Sequence, residues 1–228
     1  MNNLKSNDSV AIVSGGMDSV TMLHKMINDG KSPIVLSFVY GQKHKKELDC
    51  AKYHAELLEL DYIVMNIAGI SNAFITSSLV SESIDIPSMD EICNNHQPST
   101  YVPNRNMILI SLAVALAETS GVNKVYYGAQ AQDMYGYWDT TNDFLLAINN
   151  LLSLNRKNKI EVKAPFVNKS KAEVLSIGMQ LKIDYSKTWS CYEGKEFACG
   201  VCPTCVERLI AFRENNMIDP VKYAEEIR

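Results

Sequence analysis

VSGGMDSV, residues Val13–Val20, places two glycines, two serines and an aspartate within six residues, directly after the apolar run Val10–Val13. The apolar run predicts a short strand. Val20, Leu23, Met26 and Ile27 recur at helical spacing and predict a helix that Gly30 stops, with Pro33 beyond it. A strand-to-helix turn of this kind aims backbone N–H groups and the positive end of a helix dipole at one spot, which suits an anion such as phosphate. Gly15 and Gly16 remove Cβ atoms so that the backbone can approach closely, and Ser14 and Ser19 offer hydroxyls. Asp18 would repel a bare phosphate. Its place in the turn points to a Mg2+ ion shared with phosphates, or to a helix cap.

Working outward, Ile34–Tyr40 reads as a second strand, and Leu48, Ala51, Ala55 and Leu58 as one face of a helix. Tyr62–Ile67 reads as a third strand. Strands alternating with helices predict a Rossmann-like parallel α/β sheet. Residues 68–100, rich in Ser, Asn and Asp, predict a long functional loop. Helices are expected over 106–119, 143–154 and 170–181, and strands over 125–128 and 160–162. The expected division is an ATP-binding α/β domain over 1–184 and a small cysteine-bearing segment with a C-terminal helix over 185–228.

The 228 residues are 46% apolar and 21% charged, which fits a soluble globular chain with a sizeable core. A net charge of −4 argues against sequence-blind nucleic-acid binding. The longest apolar stretch, 107–117, is shorter than the roughly 20 residues a membrane-spanning helix needs, and the start MNNLKSNDS lacks the apolar core of a signal peptide. A cytoplasmic address is expected. Four of the six cysteines crowd together as Cys191, Cys199, Cys202 and Cys205. C-x7-C-x2-C-x2-C lets thiolates from one tight turn reach a single ion, so zinc is preferred, with an iron–sulfur cluster as the competing reading. Cys50 and Cys93 stand alone and read as packing or loop thiols.

The order S-G-G-x-D-S after an N-terminal strand resembles the pyrophosphate loop of the PP-loop ATP pyrophosphatases, and it lacks the G-K-[ST] of a kinase-type loop. Joined with YGQKH (Tyr40–His44), PSTYVPNRN (Pro98–Asn106) and TWSCY (Thr188–Tyr192), it resembles the 7-cyano-7-deazaguanine synthase (QueC) family over nearly the whole chain. The resemblance implies an adenine nucleotide alpha hydrolase-type fold and an enzyme that uses ATP twice. Such an enzyme turns 7-carboxy-7-deazaguanine and ammonia into the amide and then the nitrile, a precursor of queuosine-type bases. It further implies a homodimer and a zinc on the four cysteines.

On this reading Val13, Ser14, Gly15, Gly16, Met17, Asp18, Ser19 and Val20, with Tyr40 and His44, bind ATP. Arg105 and Lys171 are the cations that steady charge on the α-phosphate, and Asp18 joins them as catalytic. Ser99, Tyr101, Asp133, Tyr137 and Asp139 face the deazaguanine, the aspartates accepting from its N–H groups. The family's Gly-Tyr-Pro-Asp-(Cys/Ser)-Arg stretch is here Gly136-Tyr-Trp-Asp-Thr-Thr141, so threonine stands at the arginine position. That change keeps a second enzyme in view, a QueC-like relative that adenylates the same acid and joins it to a protein amine in bacterial defence. A tRNA-modifying PP-loop enzyme and a zinc-ribbon interaction module on an inert scaffold are the remaining readings.

Overall fold

The computed structural model describes residues 7–43, 45–92, 97–131 and 136–224. Five strands form one sheet: β1 (Ser9–Ile12), β2 (Pro33–Val39), β3 (Tyr62–Asn66), β4 (Lys124–Tyr126) and β5 (Glu161–Lys163). Its order is β3-β2-β1-β4-β5 and every pairing is parallel. Among the described residues the α-helices are α1 (Met17–Asn28), α2 (Lys46–Leu57), α3 (Met89–Ile92), α4 (Arg105–Thr119), α5 (Asn142–Leu152), α6 (Lys171–Gln180) and α7 (Pro203–Glu214).

Alternate side chains of the strands explain the layers. Val10, Ile34, Leu36, Phe38 and Val162 point to one face, where Leu109, Ile110 and Ala113 of α4 and Phe144 and Ile148 of α5 cover them. Ala11, Val13 and Val35 point to the other, under Val20, Leu23 and Met26 of α1, Ala51 and Ala55 of α2, and Val174 of α6. Both faces are covered. The central strands therefore read as unbroken apolar runs.

The chain leaves β1 toward β2 on one side and reaches β4 on the other, so the turns beyond β1 and β4 diverge. A crevice at such a switch point is where open α/β sheets bind ligands. Gly128, just past β4, is required there: a Cβ on it would sit 3.1 Å from the Ser19 Cα.

The described parts of the segment expected as a loop, 68–92 and 97–100, hold more regular structure than their composition implies. A 3-10 turn over Ala68–Phe74 and the short α3 punctuate it. Phe74, Leu79 and Val102 form a small apolar cluster against Tyr40, Val80 and Tyr192. At the C-terminal end, Ala211 and Phe212 of α7 pack with Leu175, Tyr185 and Met17. The Arg208 side chain is buried, donates to both carboxylate oxygens of Asp219 at 2.7 and 3.0 Å, and also donates to Thr188 Oγ1 and Tyr185 O. A buried ion pair with this many further partners braces the cysteine-bearing segment from within, tying α7 to the chain before it and after it.

Candidate active site

A cavity of about 240 Å³ opens beyond the C-terminal ends of β1, β2 and β4. Its floor is the glycine turn. Gly15 takes φ +101°, and a Cβ there would meet the Glu47 carbonyl oxygen at 1.8 Å, so the first turn of α2 rests directly on the bend. The Ser14 and Gly15 amides donate to Ser19 Oγ at 3.2 and 3.3 Å, and the Gly16 amide to Ser14 Oγ at 3.2 Å. The serines thus brace the turn from within. Gly16, the residue before α1, has no side chain to cap the helix, and the first intrahelical bond runs from the Val20 amide to the Gly16 carbonyl at 3.1 Å. The amides of Met17, Asp18 and Ser19 are the donors that a helix start leaves for an external acceptor.

Charges cluster around that helix start. Lys171, first residue of α6, is 5% exposed rather than a solvated surface lysine. Its Nζ donates to Glu207 Oε2 at 2.6 Å and lies 3.8 Å from Asp18 Oδ2. Asp18 Oδ1 is buried with no partner among the described residues. Burial raises the Asp18 pKa, opposed by the Lys171 ammonium. An acceptor held dry and unpaired beside an anion site fits a cation that arrives with phosphate.

The opposite wall is aromatic and cationic. Arg105 opens α4 and reaches the cavity, its guanidinium carbon 6.0 Å from the Tyr40 ring centre. Burial works against its charge, but Tyr40, Tyr192 and Asp139 outweigh that and hold its pKa above the ordinary value. Tyr137 donates to or accepts from Thr100 Oγ1 at 2.7 Å and stacks on Tyr101, ring centres 6.4 Å apart. The Tyr101 hydroxyl accepts from Trp138 Nε1 at 2.7 Å and from the Asn104 amide at 3.0 Å. Burial, and then Tyr137, push the Tyr192 hydroxyl well above its usual pKa.

The four cysteines stand beside this cavity, with all sulfurs within 4.8 Å of one another. A tetrahedral zinc–thiolate shell with bonds of about 2.3 Å has sulfurs about 3.8 Å apart. Cys199 and Cys205 are 4.0 Å apart, and the Cys199 and Cys202 amides donate to the sulfurs of Cys191 and Cys199 at 3.3 Å. The cluster can hold a metal ion. It is also tied to the glycine turn, because the Trp189 amide donates to the Gly15 carbonyl at 3.2 Å. Lys46 caps the same joint, placing its ammonium 4.2 Å from the centre of the Trp189 ring and donating to the Lys195 and Glu196 carbonyls.

The family model described as Queuosine biosynthesis protein QueC matches residues 8–216. The chain belongs to the QueC family. It is 42% identical over 220 residues to the 7-cyano-7-deazaguanine synthase of Psychromonas ingrahamii, covering 96% of this chain and 99% of that one. It is 44% identical over 215 residues to 7-cyano-7-deazaguanine synthase 2 of Colwellia psychrerythraea, covering 94% and 98%. The NMN synthetase of Francisella tularensis superposes with a TM-score of 0.53 at 13% identity, over 95% of this chain and 80% of that chain. That likeness is one of fold, and it agrees with a sheet of the PP-loop type.

Set on this QueC member, the residues predicted from sequence fall into three groups. Val13, Ser14, Gly16, Met17, Asp18, Ser19, Tyr40, Arg105, Tyr137 and Lys171 line the cavity. Gly15 and Val20 lie behind it, the one against α2 and the other in the core. Ser99, Tyr101 and Asp139 stand outside it. Ser99 is exposed and bonded to Ser78, and Tyr101 backs Tyr137. Asp139, expected to meet substrate, is 2% exposed and accepts from the Asn106 amide at 3.1 Å, so it anchors the start of α4 beneath Arg105. His44 and Asp133, and with them the lone Cys93, lie outside the described residues. Thr141, at the family's arginine position, caps α5 by accepting from the Phe144 amide at 3.1 Å.

Sequence reading passed over Glu47, Tyr192, Ser190 and Thr204, all of which line the cavity, and Glu207, which pairs with Lys171. Ser190, Tyr192 and Thr204 flank the clustered cysteines, and that adjacency was the available signal. Glu47 carried none: an acidic residue in a helix's first turn is what the helix dipole favours anyway.

Proposed function

We propose that the chain converts 7-carboxy-7-deazaguanine and ammonia to 7-cyano-7-deazaguanine through two adenylations, in the biosynthesis of queuosine-type bases. The relatives' names supply the substrate class. What carries the chemistry is one observation: an unpaired, buried Asp18 oxygen beside Lys171 at an uncapped helix start, in the same cavity as Arg105.

A carboxylate does not yield to ammonia at neutral pH, because oxide would have to leave. Loading AMP onto the acid oxygen gives a good leaving group, and the same loading on the amide oxygen permits dehydration to the nitrile. One phosphate cradle therefore serves both steps. The amides at the start of α1 hold the outer phosphates of ATP, with Val13, Ser14, Gly15, Gly16, Ser19 and Val20 shaping and bracing the turn and Tyr40 lining the nucleotide's side. Lys171 stabilises charge on the departing pyrophosphate, and Arg105 that on the α-phosphate and the acid. Asp18 would hold Mg2+, which supplies neutralising charge to the phosphates. Tyr137 and Tyr192 offer the flat faces against which a purine-like ring can lie.

For the four-cysteine site we favour zinc. Sulfurs this close surround one ion, whereas an iron–sulfur cluster would interpose its own iron and sulfide atoms and hold them further apart. Residues 185–228 act as the zinc-bound segment that closes the ATP domain, 1–184. Among the described residues no helix is long and apolar enough to cross a membrane, and the described cysteines form no disulfide; both fit work in the cytoplasm.

The test is mass spectrometry of the purified protein with ATP, 7-carboxy-7-deazaguanine and ammonium. The expected product is the nitrile with two AMP and two pyrophosphate. AMP without nitrile, but with the deazaguanine on a protein amine, moves the assignment to the conjugating relative. No ATP consumption with the acid overturns both.

A further inference from the structure

We propose that Glu47 is the general base that removes the nitrogen-bound protons as ammonia becomes first amide and then nitrile, an assignment that rests on the reaction proposed above. Turning ammonia into a nitrile nitrogen takes three protons off nitrogen. In the first stage the ammonia lone pair forms the C–N bond, the C–O bond to AMP breaks with its electron pair, and one N–H proton leaves. In the second, the amide oxygen takes AMP from a second ATP as pyrophosphate departs, and a second N–H proton leaves. In the last, the C–O bond breaks toward AMP while the final N–H proton leaves and nitrogen forms its third bond to carbon. Each departure needs an acceptor within the cavity.

The described lining offers two carboxylates, Asp18 and Glu47, and no histidine. Asp18 sits at the phosphate end, ion-paired with Lys171 at 3.8 Å. Glu207 is already bonded to that lysine, and Asp139 is buried under α4. Glu47 differs from all of these. Among the described residues no hydrogen bond or ion pair involves its carboxyl group. It stands in the first turn of α2, whose backbone abuts Gly15, and its Oε1 lies 3.7 Å from where a Cβ on Gly16 would be. That puts it between the glycine turn and the Arg105 wall, the span in which the acyl carbon must lie if α1 holds the outer phosphates.

Burial, opposed by Arg105 across the cavity, pushes the Glu47 pKa up to about 7. The group can therefore accept a proton and return it to solvent between stages near neutrality. Arg105 from α4 and Cys50, one turn along α2, interact with its charge, and the other titratable groups of the described lining are Asp18, Lys171 and the phenols of Tyr40, Tyr127, Tyr137 and Tyr192. Lys46, its neighbour in sequence, is turned away over Trp189.

The experiment compares two half-reactions in wild type and Glu47→Gln: exchange of labelled pyrophosphate into ATP with the carboxylic acid, and single-turnover conversion of 7-amido-7-deazaguanine to nitrile. The expected result is exchange within a few-fold of wild type and nitrile formation lower by about 10² or more. The wild-type nitrile step should also rise with pH through about 7, a limb missing from the variant's residual rate. Nitrile formation within a few-fold of wild type overturns the assignment, and so does a parallel loss of exchange, which would place Glu47 in the nucleotide site. Should Glu47→Gln not fold, the wild-type profile decides: a nitrile rate flat across about pH 5.5 to 8.5 overturns it. Wild type without acid-dependent exchange fails the proposed reaction itself, before Glu47 is reached.

Discussion

The two ends of the cavity are built by different means. The backbone of the phosphate end is a local object: eight consecutive residues, two serine hydroxyls folded back onto the turn's amides, and a helix start with no cap, to which α6 and α7 add only the Lys171–Glu207 pair. The substrate end is assembled from afar. Tyr40 comes from the turn just past β2, Arg105 from α4, Tyr137 from the segment after β4, and Tyr192 from the loop between two of the clustered cysteines. One end is dictated by backbone geometry, which tolerates few residues. The other depends on side chains packed against side chains, which leaves more room for a relative to change its acceptor while keeping its use of ATP.

This contrast orders the effects of substitution. The largest is expected at Asp18. Asp18→Asn should slow acid-dependent pyrophosphate release by about 10² to 10³ while leaving the melting temperature unchanged or higher, because it removes a buried charge. A variant with near-normal turnover would break the case for the phosphate end. Gly15→Ala comes next, since the new methyl group must displace the Glu47 carbonyl and the residue must keep a positive φ. A loss of about 3 kcal/mol in a denaturant titration is expected, and native stability would show that the turn and α2 are not in contact.

A third effect is on the pH dependence of stability. The Glu47 pKa rises on folding from 4.5 to about 7, so the native state binds more protons in that window and stability falls as pH rises through it. Once the opening to solvent is allowed for, the fall is on the order of 2 kcal/mol, and Glu47→Gln should flatten it in melts from acid to neutral pH. An unchanged slope in the variant would move the titration to another group. The smallest effect is at the substrate end. Tyr137→Phe removes the bond to Thr100 and should cost about 1 kcal/mol, seen as a several-fold higher KM for the acid with little change for ATP. A larger change for ATP than for the acid would erase the division between the ends.

The same contrast explains what was legible in the sequence. The sheet and its main helices follow from period and punctuation, and the glycine turn and the cysteine cluster are short patterns that keep their meaning out of context. Lys171 and Arg105 could be singled out as cations, but the burial of Lys171 between Asp18 and Glu207 depends on α7 folding back over α6. Asp139 illustrates the opposite case. An aspartate in a polar, aromatic segment looks like a ligand for purine N–H groups, yet the start of α4 claims it. Polar composition likewise concealed the packed Phe74–Leu79–Val102 cluster, since a few apolar residues far apart in sequence give no periodic signal. Which polar side chains a fold leaves unpaired is decided by tertiary contacts, and Glu47 was invisible for that reason.

The central claim is that the cradle at the start of α1 lets AMP be loaded onto an acid oxygen, and following heavy oxygen tests it directly. With 7-carboxy-7-deazaguanine labelled in both carboxylate oxygens, amide formation should deliver one labelled oxygen into AMP and leave the other in the amide. Label in pyrophosphate or inorganic phosphate, or AMP carrying none while amide accumulates, would contradict it.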